Sequence, residues 1–205
     1  MLKLKELKTN NKLILNVNDE NIIDIIKNTK KIIKFCDKNN LLLEVNYNDK
    51  KLTYKDLKKD IPDSVRDIIT IMHAINLKNK YERYNYIYDT VCSYLDTRIN
   101  TNYCMFKDDI CIRDRLKSNG HKNGCCECKG RGKCKYLIDG VCTMKSCMAC
   151  KLFTCHTLKT LGITQNINDY VLTRYFFNEK EKDVLQFSYW TPKDIVMEKL
   201  MKVKK

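Results

Sequence analysis

The chain has 205 residues, 43% of them hydrophobic, and a formal charge of +14, so it is long enough to bury an ordinary core in one or two domains and needs no cross-links merely to fold. No apolar run reaches the ~20 residues that cross a bilayer, which predicts a soluble protein with no membrane partner. The opening stretch MLKLKELKTNNKLILNVNDE carries no apolar core of a secretory signal, which predicts a reducing, cytoplasmic location.

In chain order, LILNV reads as a short strand and residues 21–36 as a helix whose face is formed by Ile22, Ile26, Thr29, Ile33 and Cys36. Asn39 and Asn40 turn the chain into the strand LLLEVNY, and Asn48-Asp49 leads into KLTY as a hairpin partner. Residues 1–60 are thus expected to form a small βαββ unit, followed by a helical domain over 61–205. Pro62 marks the boundary, and Asp63 is placed to cap a helix starting at Ser64 and running, with a break near Lys78, to about Arg98. Tyr81, Tyr84, Tyr88, Val91 and Leu95 fall at helical spacing; this is either a core stripe or a stacking platform for single-stranded nucleic acid, and the core explains it without a ligand. His73 lies in the apolar part of the same stretch and reads as packing, as do Cys36 and Cys92 on helix faces. After the cysteine-rich block, Asn166 or Asn168 caps a helix through Phe177, Asn178 caps the next, and Thr191-Pro192 with Asp194 starts a last one with Ile195, Val196, Leu200 and Val203 as its apolar face. The overall class is α+β, helix-dominated, with a metal-stabilised cysteine-rich loop region over 104–156.

Ten of the twelve cysteines lie in that block: Cys104, Cys111, Cys125, Cys126, Cys128, Cys134, Cys142, Cys147, Cys150 and Cys155. Such density means disulfides or metal thiolates, and a reducing compartment selects thiolates. Five of the six glycines share the block (Gly120, Gly124, Gly130, Gly132, Gly140), as tight knuckles around an ion require. Cys147-x2-Cys150 has the spacing that presents two sulfurs to one ion. Adjacent Cys125 and Cys126 point opposite ways in extended chain and serve different ions unless the backbone folds sharply there. Ten thiols with His121 and His156 as further candidate ligands allow two or three zinc ions. The Cys142-x4-Cys147-x2-Cys150 spacing, with Cys155 after it, equally suits a [2Fe-2S] loop, so zinc and iron-sulfur both stand.

The charge reading depends on this choice. From Cys104 to Lys159 twelve Lys or Arg face five Asp or Glu, a net +7, and ten thiolates holding two or three divalent ions offset it by −6 to −4. Lys129, Arg131, Lys133, Lys135, Lys145 and Lys151 therefore either neutralise thiolates or contact phosphate. A protein partner is the expectation, with nucleic acid as the alternative that the formal charge keeps open.

The segment NGCCECKGRGKCKYLIDGVCTMKSCMACKLFTC, through its Cys125-Cys126 pair, its Cys134-x2-Leu137-x2-Gly140-x-Cys142 run and its Cys150-x2-Phe153-x-Cys155 ending, resembles the YkgJ-type cysteine-cluster family of zinc- or iron-chelating proteins and the related cysteine region of flagellin lysine-N-methylases. The resemblance covers about residues 124–155 and implies that these cysteines are metal ligands. Met148-Ala149 stands where that family usually has Arg-Pro, and Cys128 and Cys147 are additions to its pattern. No GxGxxG, P-loop, GxSxG or HExxH motif occurs in the chain. The function expected is a metal-binding interaction or regulatory module; an iron-sulfur redox or methyl- or group-transfer enzyme is the alternative, so enzymatic activity is left open.

Overall fold

The computed structural model describes residues 4, 7–99, 106–107, 110–111, 137–138, 141–142, 147–154, 159, 162 and 164–204. The chain divides into two compact units, Met1–Ile87 with Tyr170–Asn178, and Tyr88–Asp169 with Glu179–Lys205.

In the first unit a four-stranded sheet runs in the order β1 (Lys8–Thr9), β2 (Lys12–Val17), β3 (Leu42–Tyr47), β4 (Lys50–Lys51). β2 and β3 are parallel, with Leu13 opposite Leu43 and Leu15 opposite Val45. The connection between them is helical, α1 (Ile22–Lys27) and α2 (Thr29–Asn39), as a parallel pair demands. Leu13, Leu15, Val17, Leu43 and Val45 alternate onto the buried face. The expected βαββ core is present, with β1 added in front of it by a turn at Asn10, whose φ is 43°.

Two local readings are corrected. The single helix of residues 21–36 is broken at Asn28, whose side-chain amide donates to the Asp24 carbonyl at 2.7 Å and so competes with the helical ladder. The break shifts the phase, so that Ile32, rather than Ile33, is buried with Thr29 and Cys36. Of KLTY, Lys51 joins Lys50 in the two-residue β4 and Leu52 adds one main-chain bond, after Asn48 and Asp49 turn in the left-handed region at φ 47° and 62°. Asp56 then accepts from the Thr53 amide at 2.7 Å and its hydroxyl at 2.8 Å, a capping box that ends the strand and starts the 3-10 turn Tyr54–Lys58.

Because β4 is so short, the edge of β3 would otherwise be bare, an exposed ladder of unpaired amides and carbonyls. Helix α3 (Asp63–Asn76) brings side chains to it. The Asn76 amide oxygen accepts from the Leu43 N–H at 2.7 Å and its nitrogen donates to the Leu43 carbonyl at 2.9 Å, so one side chain imitates a strand. Lys78 donates to the Leu41 carbonyl, and the Leu52 amide donates to that of Val45 at 2.8 Å. Val65, Ile68, Ile69, Ile71, Ala74 and Ile75 are all buried, a nearly all-round apolar helix that suits a central position. The sequence boundary at Pro62 therefore opens a helix that stays with the sheet. His73 packs as expected, its ring stacked on Tyr54 at 4.3 Å and against Tyr86 at 4.5 Å, and burial holds its pKa below the ordinary value. A break at 77–79 precedes α4 (Lys80–Ile99). Arg83 locks this corner by donating to both Asp37 carboxylate oxygens at 2.9 and 3.1 Å and to the Leu77 carbonyl at 2.9 Å. The short helix α6 (Val171–Phe176), with Phe177 against Tyr84 at 4.5 Å, completes the unit.

The second unit contains the rest of α4, two hairpins, β5 (Phe106–Lys107) with β6 (Ile110–Cys111) and β7 (Leu137–Ile138) with β8 (Val141–Cys142), then α5 (Met148–Leu152), α7 (Glu179–Phe187) and α8 (Lys193–Lys202). Part of the segment read as loop is thus regular structure. Tyr84, Tyr88, Val91 and Leu95 are buried, which decides for the core reading of the stripe, while Tyr81 at its start is 49% exposed. α8 buries Val196, Met197 and Leu200, whereas Ile195 is exposed and Val203 half-buried. No helix among the described residues is long and apolar enough to cross a membrane.

Two outcomes follow from the first unit. Asn76→Ala should lower stability by about 2 kcal/mol, read as a drop in urea midpoint, because it strips both partners from Leu43. Asp67 is held up at about 6, mainly by burial and then by Asp63, against Arg174 and Arg66. A raised carboxyl pKa means the folded state binds the extra proton, so the contribution is full below about pH 4 and is lost as pH rises through about 6. Asp67→Asn should flatten that fall and stabilise the protein at pH 7 by on the order of 2 kcal/mol.

Candidate metal centre

Cys147 and Cys150 flank the start of α5, a helix of five residues that has no stability of its own. α4 supplies what holds it. Tyr88, Cys92 and Asp96 repeat at four-residue spacing and share a face. The Tyr88 hydroxyl accepts the Met148 N–H at 3.0 Å, and the Lys151 ammonium donates to Asp96 at 2.5 Å and to the Cys92 carbonyl at 3.4 Å. One end of α5 is thereby fixed by a phenol and the other by an ion pair. Cys147 sits just before the helix in extended backbone at φ −112°, ψ 99°, and its carbonyl accepts the Lys151 N–H at 3.1 Å.

The two sulfurs meet. Cys150 packs against Cys147, and together with the main-chain N–H groups of Cys150, Thr191 and Trp190 it favours the charged form of the Cys147 sulfur. The Trp190 N–H lies 3.4 Å from the Cys150 sulfur, and the Ser188 carbonyl accepts from the Cys147 thiol at 3.4 Å. Ser188–Thr191 is the turn between α7 and α8, and Trp190 occupies the left-handed region at φ 54°, costing about 1–2 kcal/mol for a side chain of this kind. The turn gathers successive N–H groups against sulfur, a small anion nest.

The consequence is electrostatic. Cys147 is fully buried, which alone raises a thiol pKa. The Cys150 hydrogen bond outweighs that burial, and with the main-chain donors it lowers Cys147 below the ordinary thiol value, toward the thiolate that binds metals. Cys36 and Cys92 show the opposite case: burial pushes them up to about 11 and about 12, and they remain neutral thiols packed in the core. Burial also raises Tyr88, whose hydroxyl stays protonated.

Of the ten candidate ligands, the structure brings together Cys147 and Cys150. Cys111 and Cys142 close β6 and β8, paired in register with Phe106 and Leu137. Cys104, Cys125, Cys126, Cys128, Cys134 and Cys155, with His121 and His156, lie outside the described residues. Among the described residues no group of three or more Cys, His, Asp or Glu side chains converges. Two soft sulfur donors, one favoured as thiolate, fit half of a tetrahedral zinc site or part of an iron-sulfur ligand set. Lys151 corrects the charge reading. It is buried against Asp96, away from solvent phosphate, and the sulfur its charge acts on is the core thiol Cys92; at Cys147 the charge is favoured by Cys150 and main-chain N–H groups. Lys129, Arg131, Lys133, Lys135 and Lys145 lie outside the described residues. The contribution of Ser188–Thr191, 41 residues from Cys147, has no sequence signal, because a left-handed tryptophan is not a pattern.

Against protein-family models, characterised proteins and solved structures, the chain finds no match.

The Lys151 side chain is 1% exposed while Asp96 is 45% exposed. Asp96→Ala should therefore cost about 3 kcal/mol in chemical denaturation, since it leaves a buried ammonium with only a carbonyl. Lys151→Met, which removes the buried charge and keeps the stem, should cost under about half as much.

Proposed function

We propose that the protein binds metal through its cysteine block, as two or three zinc ions or an iron-sulfur cluster, and acts as a non-catalytic interaction or regulatory module in a reducing compartment. The single observation carrying this reading is the Cys147–Cys150 pair: right spacing, sulfurs in hydrogen-bond contact, and main-chain donors spent on favouring thiolate. The likeness of residues 124–155 to YkgJ-type cysteine clusters supports extending the ligand role to Cys125, Cys126, Cys134, Cys142 and Cys155. Cys104, Cys111 and Cys128 join by proximity in sequence. A bound ion would supply cross-linking between α5 and the remaining ligands and a fixed positive charge to balance the thiolates. The residues themselves keep Cys147 from bulk water and orient the pair.

A protein partner is supported by the surface beside the pair. Phe153 and Trp190 are each about half exposed and both rings contact Tyr189, at 6.3 and 5.7 Å between centroids. Exposed aromatic side chains of this kind are enriched in protein interfaces.

Anaerobic purification followed by metal analysis and a visible spectrum tests the reading. Colourless protein with stoichiometric zinc, or brown protein with iron and sulfide, is the expected result, and Cys147→Ser or Cys150→Ser should each remove at least one metal equivalent. Folded, metal-free protein in which all twelve cysteines titrate as reduced thiols would refute it.

A further inference from the structure

We propose that Cys147 and Cys150 also form a reversible disulfide with divided roles, Cys150 receiving a low-molecular-weight disulfide and Cys147 closing the bond. The part of this that concerns metal release rests on the metal-binding reading above; the disulfide itself does not.

Three observations carry it. Cys150 packs directly against Cys147, three residues before it on the same short segment, so closing a bond between the sulfurs requires no rearrangement of distant chain. Their access differs: Cys147 is 0% exposed, whereas Cys150 is half-buried and lies next to the exposed Phe153 and Trp190. Finally, Cys147 is held in place by the Ser188 carbonyl and by N–H groups of the Ser188–Thr191 turn, which keeps the second sulfur stationed behind the first.

The chemistry balances with glutathione disulfide as oxidant. Cys150 gives its proton to the Cys147 sulfur across their contact and attacks, as thiolate, one sulfur of glutathione disulfide; the S–S bond breaks, and one glutathione leaves with the electron pair. Cys147 then attacks the Cys150 sulfur of the mixed disulfide, forms the Cys147–Cys150 bond and expels the second glutathione. The one proton the pair shares ends on one glutathione and solvent protonates the other; the protein is oxidised by two electrons and the glutathione disulfide reduced by two. Neither sulfur in a disulfide is a thiolate, so a metal held by this pair loses two ligands at once.

The test uses full-length protein, stripped of metal with chelator under reducing conditions and desalted. Timed exposure to glutathione disulfide, alkylation and digestion then report on the peptide that contains both residues. Wild type should show a Cys147–Cys150 link. Cys147→Ser should accumulate a glutathione adduct on Cys150, and Cys150→Ser should leave Cys147 modified at least about tenfold more slowly than Cys150 in the other variant. Equal rates at the two positions, or Cys150 linked preferentially to another cysteine, overturns the proposal. The wild-type link is read independently of whether either variant folds. A parallel sample loaded with zinc separates the two readings. Zinc that binds, protects the pair and is released on oxidation supports both. A link that forms while zinc neither binds nor protects leaves the disulfide standing and removes the metal. Zinc binding with no link after its removal does the reverse.

Discussion

Everything at the cysteine pair depends on the anchoring of α5 to α4. A five-residue helix cannot persist in water, and Cys147 and Cys150 keep their mutual geometry because Tyr88 fixes the first amide of α5 and Lys151 ties its far end to Asp96 and Cys92. The tyrosine stripe of α4 is thus more than filler: Tyr88 fills the core with its ring and spends its hydroxyl on the knuckle. Lysine is an unusual choice for a buried position, and its long stem lets the residue cover apolar surface while its ammonium reaches a half-exposed carboxylate.

The buried thiols divide by their hydrogen-bond donors. Cys36 and Cys92 are buried, and loss of water outweighs the lysine and arginine charges near them and leaves them protonated. Cys147 is as shut off from solvent as Cys36, yet Cys150 and nearby main-chain N–H groups lower it. Desolvation is the same in kind at all three positions; the difference comes first from the neighbouring Cys150 and then from main-chain N–H groups of Cys150 and of the turn. Such donors contribute no net charge to the surface and are insensitive to the lysine content of the block, so the basic balance of the chain and the stabilisation of this thiolate are separate matters.

Much of the architecture was legible because it follows from periodicity. The short apolar runs LILNV and LLLEVNY marked the two strands on either side of a helix, the 3-to-4 spacing of Tyr84, Tyr88, Val91 and Leu95 marked a buried stripe, and the x2 spacing of Cys147 and Cys150 marked partners. What escaped depends on single side chains reaching backbone. Asn28 interrupts a helix by bonding to Asp24, which moved burial from Ile33 to Ile32. Asp56 ended a strand after two residues. Trp190 adopts a conformation that its type disfavours, and Lys151, one of a run of lysines, turned inward. Each is a tertiary choice among options that composition leaves nearly equal.

The arrangement at β3 has a consequence for how the first unit opens. The amide of Leu43 and the carbonyls of Leu41 and Leu43 find their partners in Asn76 and Lys78, 33 to 37 residues onward, instead of in a neighbouring strand. Amide-hydrogen exchange at Leu43 is therefore governed by the docking of α3 as much as by the sheet. The sheet edge and the end of that helix are one cooperative element: neither is shielded from solvent unless the other is in place, and a fluctuation that lifts α3 uncovers the strand in the same event.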